Sequence, residues 1–177
     1  FPQFEDYQWG DQREPFEEKF LDLGQSVTDG DGRAVLTLSG DEAGDTAQPL
    51  MASFTAAVFE PGGRPVREGL SLKVRSKPVY LGVKIEQGDS TGKGDPPVTF
   101  DIIAADAAGR RIGAAGVTYA LIAENWDYDW FQQDGRWQWR RTSRDVVVQK
   151  ATVNVQAGAP VRVTRRLGWG DYRLELE

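Results

Sequence analysis

The sequence predicts an all-β fold made of two tandem antiparallel β-sandwich domains. Long helical periodicities are scarce, whereas short runs that alternate apolar and polar residues recur along the chain. The 20 Gly and 9 Pro residues fall mainly between these runs, where turns are needed. From residue 79 onward, about seven such runs follow with turn signals every 8–12 residues, which is typical of a sandwich of about 100 residues.

The first domain is predicted over residues 1–77, and it carries only three or four clear strands. Residues 1–24 are aromatic-rich and are expected to be extended, and strands are predicted at 34–38, 50–59 and 66–74. This is few for a sandwich, so its opening strands are expected to lie upstream of the sequence. The polar step before Pro78 is the best domain boundary.

The segment 28–33, TDGDGR, places Asp29 and Asp31 in a spacing similar to that of a calcium loop. An EF-hand loop needs a third oxygen ligand before its Gly and a Glu several residues later, and both are missing here. The segment is therefore predicted to be a plain turn.

The second domain is predicted over residues 78–177 as a complete seven-stranded sandwich. Its strands are expected at 79–85, 98–104, 114–122, 145–155, 160–163 and 168–176, with a Trp-rich hairpin between the third and fourth of these.

The hairpin is the stretch ENWDYDWFQQDGRWQWRR at 124–141. Asp134-Gly135 is a strong type I′ turn signal, because both residues tolerate positive φ. Counting outward from this turn places Trp130 opposite Trp139, Asp129 opposite Arg140 and Tyr128 opposite Arg141. The same register predicts that five rings share one sheet face, namely Trp126, Tyr128, Trp130, Trp137 and Trp139.

Three interpretations of the five-ring face remain open. Large rings on one face of a sheet normally pack against the opposite sheet or a neighbouring domain, so burial is favoured and a large cost is expected for Trp130→Ala. An exposed protein-binding surface is the second interpretation. A platform on which sugar rings stack is the third, and exposed, coplanar Trp rings would favour it.

The charged residues of the hairpin are predicted to form a solvated face. Asp127 and Asp129 lie about 7 Å apart along one strand, a spacing that a glycosidase pair could have, but they are expected to pair with Arg140 and to face Thr142. The basic residues of this stretch are explained by stacking on the rings or by pairing with these carboxylates, and they are Arg136, Arg140, Arg141 and Arg144.

Composition excludes several classes of function. The net charge of −6 argues against nucleic acid or an anionic membrane as a partner. The chain has no Cys and no His, which removes thiolate nucleophiles, Ser-His-Asp triads, His/Cys zinc sites and disulfides. We therefore predict a non-enzymatic chain with no catalytic, metal-binding or cofactor-binding residue.

Several phrases resemble the macroglobulin-type domains of bacterial alpha-2-macroglobulins. In chain order they are FPQFEDYQWG, TDGDGRAVLTL, EPGGRPV, VYLGVKI, FDIIAADAAGRRI, LIAENWDYDWFQQDGRWQW and GDYRLEL. The resemblance covers nearly the whole chain, and the Trp-rich hairpin and VYLGVKI are its most specific parts. It implies two consecutive fibronectin-III-like macroglobulin domains cut from a far longer protein.

The family resemblance also implies a function for the parent protein, that of a broad-spectrum protease trap. It further implies a location in the periplasm, where the parent protein can be a membrane-anchored lipoprotein. Such traps use a bait region and a Cys–Gln thioester. This sequence has no Cys and no long bait-like segment, so it is expected to supply scaffold, with neighbouring macroglobulin domains as partners and target proteases as partners of the whole protein. The alternative is a carbohydrate-binding or adhesin-type sandwich module that uses the Trp-rich hairpin.

Overall fold

A computed structural model describes residues 1–15, 17–39, 46–60, 62–88 and 94–177. The described residues contain ten β-strands and one short 3-10 helix at Pro2–Phe4, which confirms the all-β prediction. The strands are β1 Gln8–Trp9, β2 Leu50–Val58, β3 Val66–Val74, β4 Tyr80–Gln87, β5 Pro97–Ala105, β6 Arg111–Ile112, β7 Ala114–Gln133, β8 Arg136–Val155, β9 Val161–Arg166 and β10 Asp171–Leu176. They fall into two compact units, Gly10–Ser76 and Lys77–Glu177 together with Phe1–Trp9.

Among the described residues of the unit Gly10–Ser76, the regular structure is the antiparallel pair β2–β3, as predicted. Its register runs from Leu50 opposite Val74 to Val58 opposite Val66. The turn predicted at 28–33 is confirmed, since the Asp29 carboxylate accepts hydrogen bonds from the backbone N–H groups of Asp31 and Arg33 at 3.0 and 2.8 Å. Asp29 therefore organises its own turn.

The strand predicted at 34–38 is wrong for this structure, in which these residues have no regular secondary structure. Val35 is 85% exposed, so the segment has found neither a ladder partner nor a core to pack on. A strand of this length is stable only when a neighbouring strand or an apolar face supports it.

One face of the β2–β3 pair is apolar and lies open within its own unit. The register places on it Leu50, Ala52, Phe54, Ala56, Val58, Val66, Leu70, Leu72 and Val74, together with one charged residue, Glu68. The opposite face is mostly polar, and such alternation is typical of a sheet with one buried side. Yet Leu70 is 58% exposed. Much of this apolar face is therefore uncovered among the described residues of the unit.

The second unit is a two-sheet sandwich. One sheet has five strands in the order β1-β4-β5-β6, with β9 also pairing with β5, and the other has three in the order β10-β7-β8. All of these pairings are antiparallel. The architecture confirms the sandwich predicted for this half of the chain.

The main core lies between the two sheets. Val98, Phe100, Ile102 and Ala104 of β5 contribute one side, and the other side comes from Val117, Tyr119 and Leu121 of β7 and Val155 of β8. The inward side chains alternate along β5 and along this part of β7, as the pleat of a strand requires. The buried Tyr119 hydroxyl accepts a hydrogen bond from Gln149 Nε2 at 2.7 Å, so burying its polar atom carries little penalty.

A second, smaller core lies on the outer face of the five-stranded sheet. Trp9, Tyr80, Ile103 and Ala105 are buried there, and Phe1, Phe4 and Tyr7 pack against them. Strand β1 adds Gln8 and Trp9 to the edge strand β4. The predicted boundary assigned residues 1–77 to the first domain, but the structure places Phe1–Trp9 on the second unit, because their rings cover this apolar outer face.

Arg162 of β9 forms a bidentate ion pair with Asp101 of β5. Asp101 is only 4% exposed. The Nε and Nη2 atoms of Arg162 donate to the two carboxylate oxygens at 2.8 and 2.7 Å. The hydrogen bonds from Arg162 hold the pKa of Asp101 below its ordinary value, against the opposing effect of burial.

Arg162→Ala is expected to destabilise the sandwich clearly at neutral pH, because it leaves a buried carboxylate without its main partner. A lowered folded-state pKa gives stability that is present above the unfolded value of about 3.9 and is lost as the pH falls through the folded value. The difference between parent and variant should therefore shrink below about pH 4. Urea denaturation at pH 7 and pH 3 measures it.

The matched control for this prediction is Arg140→Ala, which breaks an ion pair between exposed side chains. It should change stability little at either pH, since exposed pairs contribute little. Equal losses for the two variants at pH 7 would contradict the role given to Asp101.

Strands β7 and β8 are each 20 residues long and form one hairpin, whose pairing shifts register between Ala114 and Val117 and again between Leu121 and Ile122. Strand β10 pairs with β7 only as far as Glu124, so residues 125–144 pair only with each other. We call this part of the hairpin the Trp arm. At about 3.3 Å per residue, its two strands extend roughly 30 Å beyond that point.

Candidate interaction surface

The turn of the Trp arm has the predicted geometry. Asp134 and Gly135 have φ values of 52° and 73°, the positive values that a type I′ turn requires at both positions. The predicted register is confirmed, since Trp130 lies opposite Trp139, Asp129 opposite Arg140 and Tyr128 opposite Arg141. Local turn chemistry therefore aligns the whole arm.

The register brings the five predicted rings to one surface, which we call the ring face: Trp126, Tyr128, Trp130, Trp137 and Trp139. Tyr128 and Trp139 are in contact, with centroids 5.6 Å apart and planes tilted by 59°. The Arg141 guanidinium lies 3.3 Å from the centroid of the Trp126 ring, a cation–π contact. One cation is thus stacked into an otherwise aromatic surface.

The opposite side of the Trp arm carries the charges that the sequence placed there. Arg140 Nε lies 3.4 Å from Asp129 Oδ2, and Thr142 Oγ1 donates to the same oxygen at 3.2 Å. Arg140 also lies 5.9 Å above the ring of Phe131. Asp127 lies opposite Thr142. The arrangement is a charged, solvated face.

The expectation that the rings are buried in the sandwich is wrong for this chain. Trp130 and Trp137 are 66% and 69% exposed, and Trp126, the least exposed of the five, is 38% exposed. The reason is the alternation along β7, where Val117, Tyr119 and Leu121 point into the core. The rings of the same strand stand at even positions, and a register shift between Leu121 and Ile122 brings the odd-numbered rings of β8 to the same outer face.

Even and odd positions are visible in the sequence, so this parity could have been used before the structure. The core residues of the run 117–121 are at odd positions, and the rings at 126, 128 and 130 are at even ones. On β8, however, the rings Trp137 and Trp139 and the core residue Val155 are all at odd positions. Only the register shift between Leu121 and Ile122 separates their faces, so the parity rule holds for β7 alone.

An ion network that sequence reasoning missed fastens the base of the Trp arm. Arg173 of β10 lies 3.0 Å from Glu124, 2.5 Å from Asp145 and 2.7 Å from Glu175. Hydrogen bonds to Glu175 and then to Asp145 raise the pKa of Arg173 above its ordinary value. Because Glu124 and Asp145 lie opposite each other at the start of the arm, Arg173 joins its two strands to β10.

Trp130→Ala is expected to change the stability of the 177-residue chain by less than about 1 kcal/mol, since surface substitutions rarely do more. The ring is mostly solvated, so little buried apolar area is lost. Urea denaturation of parent and variant measures the change. A loss near the 3–5 kcal/mol typical of a buried Trp would contradict the exposed position of the ring.

The residues that the structure describes include no helix that is long and apolar enough to cross a membrane. Nor do they include a group of three or more acidic residues placed to hold a metal ion.

Two family models match the chain one after the other. The bacterial alpha-2-macroglobulin MG5 domain matches residues 1–75, and bacterial macroglobulin domain 6 matches residues 82–177. The gap between the matches contains Pro78, where the sequence placed the boundary. Together the matches account for nearly all of the chain.

Similar proteins agree with the family models. The chain is 30% identical to alpha-2-macroglobulin of Escherichia coli strain K12, over 89% of the chain and 10% of that protein. It is 27% identical to alpha-2-macroglobulin of Xylella fastidiosa strain 9a5c, over 82% of the chain and 9% of that protein. The chain therefore spans about a tenth of the length of these relatives.

Two solved structures share the fold over almost the whole chain. Escherichia coli alpha-2-macroglobulin activated by porcine elastase matches with a TM-score of 0.68 and 27% identity, over 99% of this chain and 16% of that one. Salmonella alpha-2-macroglobulin reacted with methylamine matches with a TM-score of 0.63 and 25% identity, over 98% and 12% of the two chains. With both of its domains matched in order, the chain belongs to the bacterial alpha-2-macroglobulin family.

Proposed function

We propose that this chain is a scaffold segment of a longer bacterial alpha-2-macroglobulin that acts as a broad-spectrum protease trap. The observation that carries the proposal is the consecutive match to two macroglobulin domains in a chain about a tenth as long as its relatives. The sandwich formed by residues 77–177 is the kind of rigid body that such a scaffold needs.

The partners proposed for the whole protein are target proteases, and those proposed for this segment are neighbouring macroglobulin domains. One solved relative is described as activated by porcine elastase, which supports a protease as the molecule that acts on such proteins. The periplasm is the proposed location, in line with the family resemblance, and a lipoprotein anchor on the parent protein is a form consistent with it.

The proposed role is non-enzymatic and requires no cofactor. The chain has no Cys, so a Cys–Gln thioester cannot form from these residues. Without Cys or His, it also lacks the usual pairs of a nucleophile and its general base. Any trapping chemistry of the parent protein therefore belongs to residues outside this segment.

One observation supports the carbohydrate-binding alternative, and two argue against it. The rings of the Trp arm are exposed, as a sugar platform would require. However, Tyr128 and Trp139 are tilted by 59°, so they do not form a flat platform. Arg141 also covers Trp126 at 3.3 Å, which occupies a surface that a sugar ring would need. The scaffold role is the better supported of the two.

A protease-protection assay tests the proposed function. The full-length polypeptide is incubated with porcine elastase, and the remaining activity is measured on a large protein substrate and on a small peptide substrate. A trap should suppress cleavage of the large substrate and spare that of the small one, whereas the 177-residue chain alone should suppress neither. Suppression by the 177-residue chain, or no effect of the full-length polypeptide, would contradict the proposal.

A further inference from the structure

The ring face of the Trp arm has the composition of a protein-interface core. Besides the five rings, it includes Arg141, whose guanidinium is stacked on Trp126, and it carries no acidic residue between 126 and 143. Tyr, Trp and Arg are the residues most enriched where protein interfaces are fully buried, whereas acidic residues are depleted there. This contrasts with the chain as a whole, which has a net charge of −6.

The Trp arm is also organised before any partner arrives. The type I′ turn at Asp134-Gly135 sets the register, and Arg173 fastens both strands to β10 at the base. Yet an isolated two-stranded hairpin is marginally stable in water, and this one gains no core contacts along its outer part. A surface whose register is already set by the turn and the base loses less entropy on docking than a disordered segment would.

We propose that the ring face docks on an apolar surface of another macroglobulin domain of the same polypeptide, with a carboxylate of that domain meeting Arg141 at the rim. This inference rests on the proposed function, because it requires the longer polypeptide. The relatives are about ten times as long as this chain, so further domains are the most abundant candidate partner. An arm that reaches roughly 30 Å past its last sheet neighbour holds the ring face beyond the sandwich core, where another domain has access to it.

Hydrogen exchange of residues 125–144 tests the docking. The rate is compared between the 177-residue chain and the full-length polypeptide, both as monomers. Docking predicts exchange at least about tenfold slower in the full-length polypeptide, equivalent to about 1.4 kcal/mol of local protection. An unchanged rate would overturn the proposal. Protection already present in the 177-residue chain that grows with its concentration would overturn it too, by identifying a second copy as the partner.

Variants locate the effect on the ring face. The double variant Trp130→Ser with Trp139→Ser, and separately Arg141→Glu, should restore fast exchange of the arm in the full-length polypeptide. Gln138→Ser changes the residue between Trp137 and Trp139 on the opposite side and should leave the protection intact. If the double variant disorders the arm itself, Arg141→Glu still decides the question, since it keeps all five rings. Protection that survives Arg141→Glu, or that Gln138→Ser removes equally, would overturn the proposal.

The protease-protection assay separates this inference from the proposed function. The full-length polypeptide could suppress elastase cleavage of the large substrate while the amides of its Trp arm exchange as fast as in the 177-residue chain. That result would leave the trap intact and overturn the docking. Slow hydrogen exchange of the arm in a full-length polypeptide that does not suppress elastase would support the docking and contradict the trap.

Discussion

Leu121→Ala is expected to destabilise the sandwich unit by about 3–4 kcal/mol, within the range measured for buried leucines. Leu121 is 1% exposed and belongs to the core between the two sheets. The change removes apolar area from the core and leaves a cavity that β5 and β7 cannot close without shifting their backbone pairing. Since a domain is stable by only about 5–15 kcal/mol, this is a large fraction of the total.

Urea denaturation followed by far-UV circular dichroism measures the loss from Leu121→Ala. The matched control is Ile85→Ala, which removes an aliphatic side chain of the same size from an exposed site on β4. We expect a loss of about 1 kcal/mol or less for the control. Similar losses for the two variants would mean that β7 does not pack its odd-numbered residues inward.

Trp9→Ala is expected to cost about 3 kcal/mol, near the lower end of the range for buried tryptophans. Trp9 is 8% exposed, packs against Phe1 and Phe4, and stands over Gly82 of β4. Its loss should free the segment Phe1–Trp9 and uncover Ile103 and Ala105 on the outer face of the sheet. The cost lies near the lower end because this layer can open to water, unlike the core between the sheets.

A second variant tests the same contact from the other side. A Cβ added at Gly82 would lie 2.9 Å from the Trp9 ring, so Gly82→Ala should displace the ring and lower stability by about 1–3 kcal/mol. Trp169→Ala is the control, since Trp169 is fully exposed and its loss should be nearly neutral. Unchanged stability in Trp9→Ala and Gly82→Ala would contradict the placement of residues 1–9 on the second unit.

The parts of the fold that depend on local chemistry were predictable from the sequence. Asp134-Gly135 specifies a type I′ turn by itself, and a turn fixes the register of the strands beside it. The runs at 98–104 and 114–122 likewise predicted β5 and part of β7, although β5 is buried on both faces, since Ile103 and Ala105 are buried on its outer side.

The features that escaped prediction depend on contacts between residues distant in sequence. The rings of Phe1–Trp9 cover a sheet whose residues lie more than 70 positions away, and nothing in the local pattern of that segment identifies its partner. The Arg173 network joins three strands through carboxylates that look like ordinary surface charges. The strand expected at 34–38 had the right alternation but lacks a neighbouring strand in this structure.

The position of the Trp arm outside the sandwich core is tested most directly by hydrogen exchange along the 177-residue chain. We expect the slowest exchange in β5 and in residues 117–122 of β7, since these strands line the core and open only with the whole unit. The amides of residues 125–144 should exchange faster, because the arm can open locally without uncovering that core. Arm amides as slow as those of β5 would show that the rings are buried within the chain and would contradict the position of the Trp arm outside the core.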